Sequence, residues 1–116
     1  MKVLMLFAEG FEDVEAVATR DVLVRAGITV VDAKIDEDKD LVVSSHKISF
    51  SGFKSAKNIN VGEYEAIILP GGSVGVNNLL QSSLVDSLVQ EFYNANKYVC
   101  AICAAPMVIG HRGFSC

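Results

Sequence analysis

Residues 3–35 read VLMLFAEGFEDVEAVATRDVLVRAGITVVDAKI, and two changes of pattern within them decide the fold. Val3 to Phe7 is an unbroken apolar run of strand length, the mark of a parallel strand covered on both faces. From about Asp13 to Ala26 the spacing turns helical. Val14, Val17, Ala18 and Val22 fall on the expected inner side, Arg20 and Arg25 point toward water, and Gly27 is a stop signal. Ile28 to Ile35, rich in Val, Ile and Thr, returns to strand. A strand, a helix and a second strand in succession predict a right-handed crossover within a parallel sheet.

Downstream, the charged run Asp36 to Asp40 reads as a solvated loop. Leu41–Ser44 and Lys47–Phe50 read as an antiparallel hairpin at a sheet edge, and the polar stretch Ser51–Glu63 as a connection. Ala66–Leu69 is a buried-type strand halted by Pro70-Gly71-Gly72, with a short helical turn over Val74–Leu80. Ser83-x-x-Asp86 opens a helix carrying Leu84, Leu88, Phe92 and Ala95 on one face. Tyr98–Ile102 is the next strand, and the next helix starts at Ala104. The whole predicts one α/β domain over residues 1–116, with a flavodoxin-like, doubly wound, mostly parallel sheet and helices on both faces.

The chain has 116 residues, 51% of them hydrophobic, enough for one core, and a formal net charge of −4. Without clustered Lys and Arg it is not expected to bind nucleic acid. The N-terminal apolar run is too short to span a membrane and meets an acidic segment, so a cytoplasmic protein is expected. Cys100, Cys103 and Cys116 are an odd count that fits a reducing compartment. Cys100 and Cys103 make a C-x-x-C string. Residues three apart on a strand face opposite ways, so a buried structural Cys100 is the expected reading over a dithiol.

In such a fold the working groups gather beyond the carboxyl ends of the parallel strands. Three ends carry candidates: Glu9-Gly-Phe-Glu-Asp-Val-Glu15, Pro70-Gly-Gly72, and Ala101-Ile-Cys-Ala-Ala105. A nucleophile on a tight strand-to-helix turn needs small residues two positions to either side, which Ala101 and Ala105 supply around Cys103. A helix beginning at Ala104-Ala-Pro106 would favour the thiolate through its dipole and free N–H groups. The plain alternative is an inert cysteine at a strand end. Gly71 and Gly72 would let backbone N–H groups face an oxyanion, or simply make a tight turn. Glu9, Glu12, Asp13 and Glu15 all suit a helix start, and spacing alone does not choose among them. His111 lies about 12 Å along the helix from Cys103, too far to serve as its base. His46 sits at the hairpin tip, over the site or in solvent.

Together, Ala8-Glu-Gly-Phe-Glu-Asp-Val-Glu15-Ala, Arg25-Ala-Gly27, Ile68-Leu-Pro-Gly-Gly72 with Gly75, and Ala101-Ile-Cys-Ala-Ala-Pro106 resemble the DJ-1/PfpI superfamily, nearest its DJ-1/YajL/ThiJ branch. The resemblance implies that Cys103 is the nucleophile and oxidation-sensitive thiol, and that Glu15 is the carboxyl group touching it. Backbone at Gly71, Gly72 and Ala104 would line an anion site. His46 falls where relatives carry Arg or His near the pocket, and Arg25 where a partner subunit's basic residue approaches. Ala104-Ala105 replaces the His-Gly that follows the nucleophile in the PfpI-type branch, which argues against a peptidase. Relatives continue with more strands and a histidine near the cysteine, so the resemblance implies a C-terminally incomplete domain that pairs with itself as a homodimer or with a complementing chain.

The implied activity is of the glyoxalase III or protein deglycase type. Cys103 and Glu15 would act without metal or organic cofactor on a small carbonyl such as methylglyoxal, or on a glycated protein. The alternative is a non-enzymatic oxidative-stress sensor or chaperone working through oxidation of Cys103. An older family label ties such chains to thiazole monophosphate biosynthesis.

Overall fold

The computed structural model describes residues 1–102. Seven strands and three helices follow in the order β1 (Lys2–Phe7), α1 (Asp13–Arg25), β2 (Thr29–Lys34), β3 (Val42–Val43), β4 (Ser49–Phe50), β5 (Lys54–Ser55), β6 (Ala66–Leu69), α2 (Ser73–Leu80), α3 (Ser83–Asn94) and β7 (Tyr98–Ala101), with two short 3-10 turns before β6. The main sheet runs β5-β2-β1-β6-β7 with every pairing parallel, while β3 and β4 form the antiparallel hairpin as a separate small sheet. This is the flavodoxin-like α/β architecture that the crossover pattern predicts.

The apolar run of β1 is divided between two cores because successive side chains on a strand face opposite ways. Leu4 and Leu6 pack with Ile67, Leu69 and the inner faces of α2 and α3, among them Val76, Leu79, Val85, Leu88 and Phe92. Val3, Met5 and Phe7 pack on the other side with Ala16 of α1, Ile68, Phe11 and Val42 of the hairpin. Phe7 meets Phe11 edge-on at 4.9 Å and Phe53 at 4.9 Å, and Phe11 meets Phe50 at 5.2 Å. The aromatic group thus ties the hairpin to the sheet.

Three expectations change. α1 does not bury its valines: Val14 is 69%, Val17 45% and Val22 64% exposed, while Ala16 is fully buried and Leu23 partly so. The contact with the sheet is made by the small Ala16 rather than by the most apolar residues of the helix. Arg20 is likewise half-buried, its Nε donating to both Asp32 oxygens at 3.1 and 2.9 Å. Cys100, expected to be buried, is exposed. On β7 only Val99 and Ala101 pack into the α3-side core, and Cys100 shares the opposite, open face with Tyr98, which is 70% exposed. Finally, the stretch read as a plain connection contains β5, which pairs with Ala33 and Lys34 through two residues lacking any apolar signal.

Candidate functional site

The strand order reverses direction at β1, with β2 on one side and β6 on the other, and the crevice at the carboxyl ends of these strands is where such sheets bind ligands. Two backbone segments meet there. After β1, the Glu12 N–H donates to the Gly71 carbonyl at 3.0 Å, and the Asn78 side-chain amide donates to the Glu9 carbonyl at 2.8 Å. A Cβ placed on Gly72 would lie 2.7 Å from Glu12 N, and one on Gly75 would lie 2.9 Å from Phe11 Cα. The glycines therefore permit main chain to lie on main chain, and this joins the start of α1 to the Gly71–Gly72 turn.

The third segment arrives beside them. β7 pairs with β6 up to Leu69 opposite Ala101, and the Ile102 N–H continues the ladder to the Leu69 carbonyl at 3.1 Å. Cys103 and Ala104 lie outside the described residues, as does the expected elbow helix. Their immediate predecessor thus leaves the sheet next to the strand that leads into Pro70-Gly71-Gly72.

Glu15 stands in the first turn of α1, three residues beyond Glu12. Its Oε1 is fully buried and has no hydrogen-bond partner among the described residues. A buried carboxylate oxygen without a donor is unfavourable, and such atoms are few in native proteins. Glu12 is the N-cap of α1, accepting from Val14 N at 3.1 Å. Glu9 is tied instead to the hairpin, accepting from Val43 N at 3.3 Å. The four acidic residues, indistinguishable by spacing, thus have four different environments.

Asp13, one of four acidic residues that spacing did not separate, has partners that the sequence did not reveal. It gathers Ser44, Ser45 and His46 from the hairpin tip, and its Oδ1 lies 2.9 Å from His46 Nδ1. Ligand-type atoms of Glu12, Asp13 and His46 lie within 4.8 Å of one another, but Asp13 is already engaged by His46 and Glu12 by the Ser45 hydroxyl, so the group is a hydrogen-bonded network. No local pattern marks a contact between residues 33 positions apart. His46 is brought to the start of α1, whereas Arg25 lies at the far end of that helix, paired with Asp21 at 3.0 Å and 80% exposed. Within one chain, Arg25 does not join the site. Among the described residues no helix is long and apolar enough to cross a membrane.

Comparison with known proteins gives a consistent picture. The sequence model of the DJ-1/PfpI family matches residues 1–115. The chain is 33% identical over 110 residues to "Protein dj-1beta" of Drosophila melanogaster, covering 95% of this chain and 58% of that protein. It is 31% identical over 120 residues to the "Glutathione-independent glyoxalase DJ-1" of Schizosaccharomyces pombe, covering 97% and 63%. Among solved structures, Drosophila melanogaster DJ-1beta superposes with a TM-score of 0.90 at 31% identity, over 98% of this chain and 61% of that one. An oxidised Toxoplasma gondii DJ-1 gives 0.88 at 31% identity, over 97% and 61%. The chain spans about three-fifths of the length of these relatives. With its fold, its glycine-built crevice and these matches in agreement, the chain belongs to the DJ-1/PfpI family.

Proposed function

We propose that this chain carries the nucleophile side of a DJ-1-like, cofactor-independent glyoxalase or deglycase, with Cys103 as nucleophile and Glu15 as acid and base. The observation that supports the reading is the buried Oε1 of Glu15 in the first turn of α1, which has no hydrogen-bond partner among the described residues. An acceptor there can take the proton that the Cys103 thiol gives up as it becomes the attacking thiolate, and return it to the carbonyl oxygen. The Cys103 thiolate adds to the aldehyde carbon of methylglyoxal, and the carbonyl oxygen is protonated to a hemithioacetal. Glu15 moves the proton from that carbon to the neighbouring carbonyl carbon by way of an enediol, which leaves a lactoyl thioester. Water hydrolyses the thioester and returns the thiol. One carbon is oxidised as its neighbour is reduced, so the substrate supplies its own electrons. Backbone N–H groups at Gly71, Gly72 and Ala104 are the proposed donors to the oxyanion. The similarity to a glyoxalase of Schizosaccharomyces pombe supports the substrate class. Lactate released from methylglyoxal by the purified protein is the test, and its absence would overturn the reading.

The exposed side of α1 supports a homodimer. Val14, Val17 and Ile48 are 69%, 45% and 51% exposed, and with Phe50 they line one shallow groove. A second copy laid antiparallel along α1 would cover these side chains and set the acidic start of one helix, Glu12 and Asp13, against Arg25 of the other. Fully burying a valine is worth about 1.5 kcal/mol or more, and two-fold symmetry counts each twice. Val14→Asp is therefore expected to weaken dimerisation by about 100-fold or more. Light scattering across a dilution series checks this, and a native monomer, or a variant that dimerises as before, would refute the assignment.

A further inference from the structure

The turn between β3 and β4 is fastened to the start of α1 chiefly by Asp13, with Glu12 Oε2 also accepting from the Ser45 hydroxyl at 3.2 Å. Only 13% of the Asp13 side chain is exposed. Its Oδ1 accepts from the Ser45 hydroxyl at 3.2 Å and the His46 backbone N–H at 3.2 Å and lies 2.9 Å from His46 Nδ1, while Oδ2 accepts from the Ser44 hydroxyl. Ser44 is itself 2% exposed, and its hydroxyl also accepts from Ile48 N at 3.1 Å. Two backbone bonds complete the seat, Ser45 N–H to the Phe11 carbonyl and Gly10 N–H to the Val43 carbonyl, both at 2.8 Å. We propose that the β3–β4 turn is a pH-sensitive latch, held closed on α1 by protonated His46 and loosened when His46 loses its proton.

The charges around His46 favour this. Within one chain Asp13 holds it directly and Glu12 Oε1 lies 4.0 Å from the same ring nitrogen, with Lys47 next in sequence, while Arg25 of a second copy in the proposed dimer would face the same carboxylates. The Asp13 hydrogen bond, then the charges of Glu12 and Asp13, raise the pKa of His46 above 6.5 despite some desolvation. Desolvation alone would raise Asp13, but its hydrogen bonds from Ser44 and His46 outweigh it and hold the carboxyl well below the usual carboxylate range. A raised histidine contributes stability that is complete below its unfolded value and is lost as pH rises through the folded one. A depressed carboxylate contributes stability that is complete above its unfolded value and is lost as pH falls through the folded one. The latch is thus tightest on the mildly acidic side of neutrality and slackens above it. Slackening frees the edge of the hairpin that keeps Phe11 at 2% exposure.

Hydrogen exchange at the Ser45 and Ile48 amides, corrected for intrinsic catalysis, tests the proposal while the His46 ring is titrated by NMR. Protection is expected to fall as pH rises through the His46 pKa, and the logarithm of the fold-loss should match the measured rise of that pKa above 6.5. In Asp13→Asn the pKa should return toward 6.5. In His46→Gln, which has no titrating ring, protection should lose its dependence on pH across this range. His46 titrating at or below 6.5, protection flat through its titration, or a His46→Gln profile like that of the native protein would each overturn the latch.

Discussion

Glu15→Gln is expected to lower kcat/KM for methylglyoxal by about 10²–10⁴, the range for loss of a positioned acid–base group, with Cys103→Ser falling to the uncatalysed rate. Glutamine keeps the shape of the side chain and offers hydrogen-bonding atoms, but it cannot carry a proton between carbons. Glu12→Gln is the control, because that carboxylate is an N-cap. Its change is expected in stability, by about 1 kcal/mol or less, with little in rate. Glu9→Gln removes an acceptor for the hairpin N–H of Val43 and should also spare the rate. Lactate production gives the kinetics, and the ultraviolet absorbance of the thiolate reports whether the Cys103 titration moves. Equal, small effects in all three glutamate variants would remove Glu15 from its proposed role.

The contrast among these carboxylates shows what the sequence could and could not reveal. The doubly wound sheet was legible because β1 and β6 are unbroken apolar runs ending in glycine-rich turns, and a strand covered on both faces has few other ways to be written. The convergence of the Glu9–Glu15, Pro70–Gly72 and Ala101–Ile102 segments followed from their common place at carboxyl ends of strands. The inner face of α1 was not legible. Apolarity favoured Val14, Val17 and Val22, whereas the helix turns Ala16 to the core and leaves those valines exposed. Asp13 was equally hidden, since its partners Ser44, Ser45 and His46 are 31 to 33 residues away and reach it only through the fold. β5 pairs by backbone alone, so its side chains gave no signal.

Gly72→Ala should be strongly destabilising at the crevice, and its cost has two parts. Gly72 has φ of 103° and ψ of 124°, a conformation that L residues rarely adopt, and forcing alanine into it costs about 1–3 kcal/mol. The added methyl would also stand 2.7 Å from Glu12 N, 2.8 Å from the Gly10 carbonyl oxygen and 3.2 Å from the Phe11 carbonyl carbon. All three are main-chain atoms that no rotamer change can withdraw, so the start of α1 must move, at a further cost of about 1–3 kcal/mol. The sum, about 2–6 kcal/mol, is a large share of the 5–15 kcal/mol that holds a domain together. Gly27→Ala isolates the backbone part, for Gly27 also has a positive φ, of 85°, but no atom within 4 Å of a Cβ. Denaturant unfolding of both variants is expected to show the larger loss at Gly72, where main-chain contacts add to the cost of the backbone conformation. Because the Glu12-to-Gly71 hydrogen bond would be displaced, Gly72→Ala should disturb the Cys103 titration while Gly27→Ala leaves it unchanged. Equal losses of stability in the two variants would mean that the β1 and β6 turns do not press main chain against main chain.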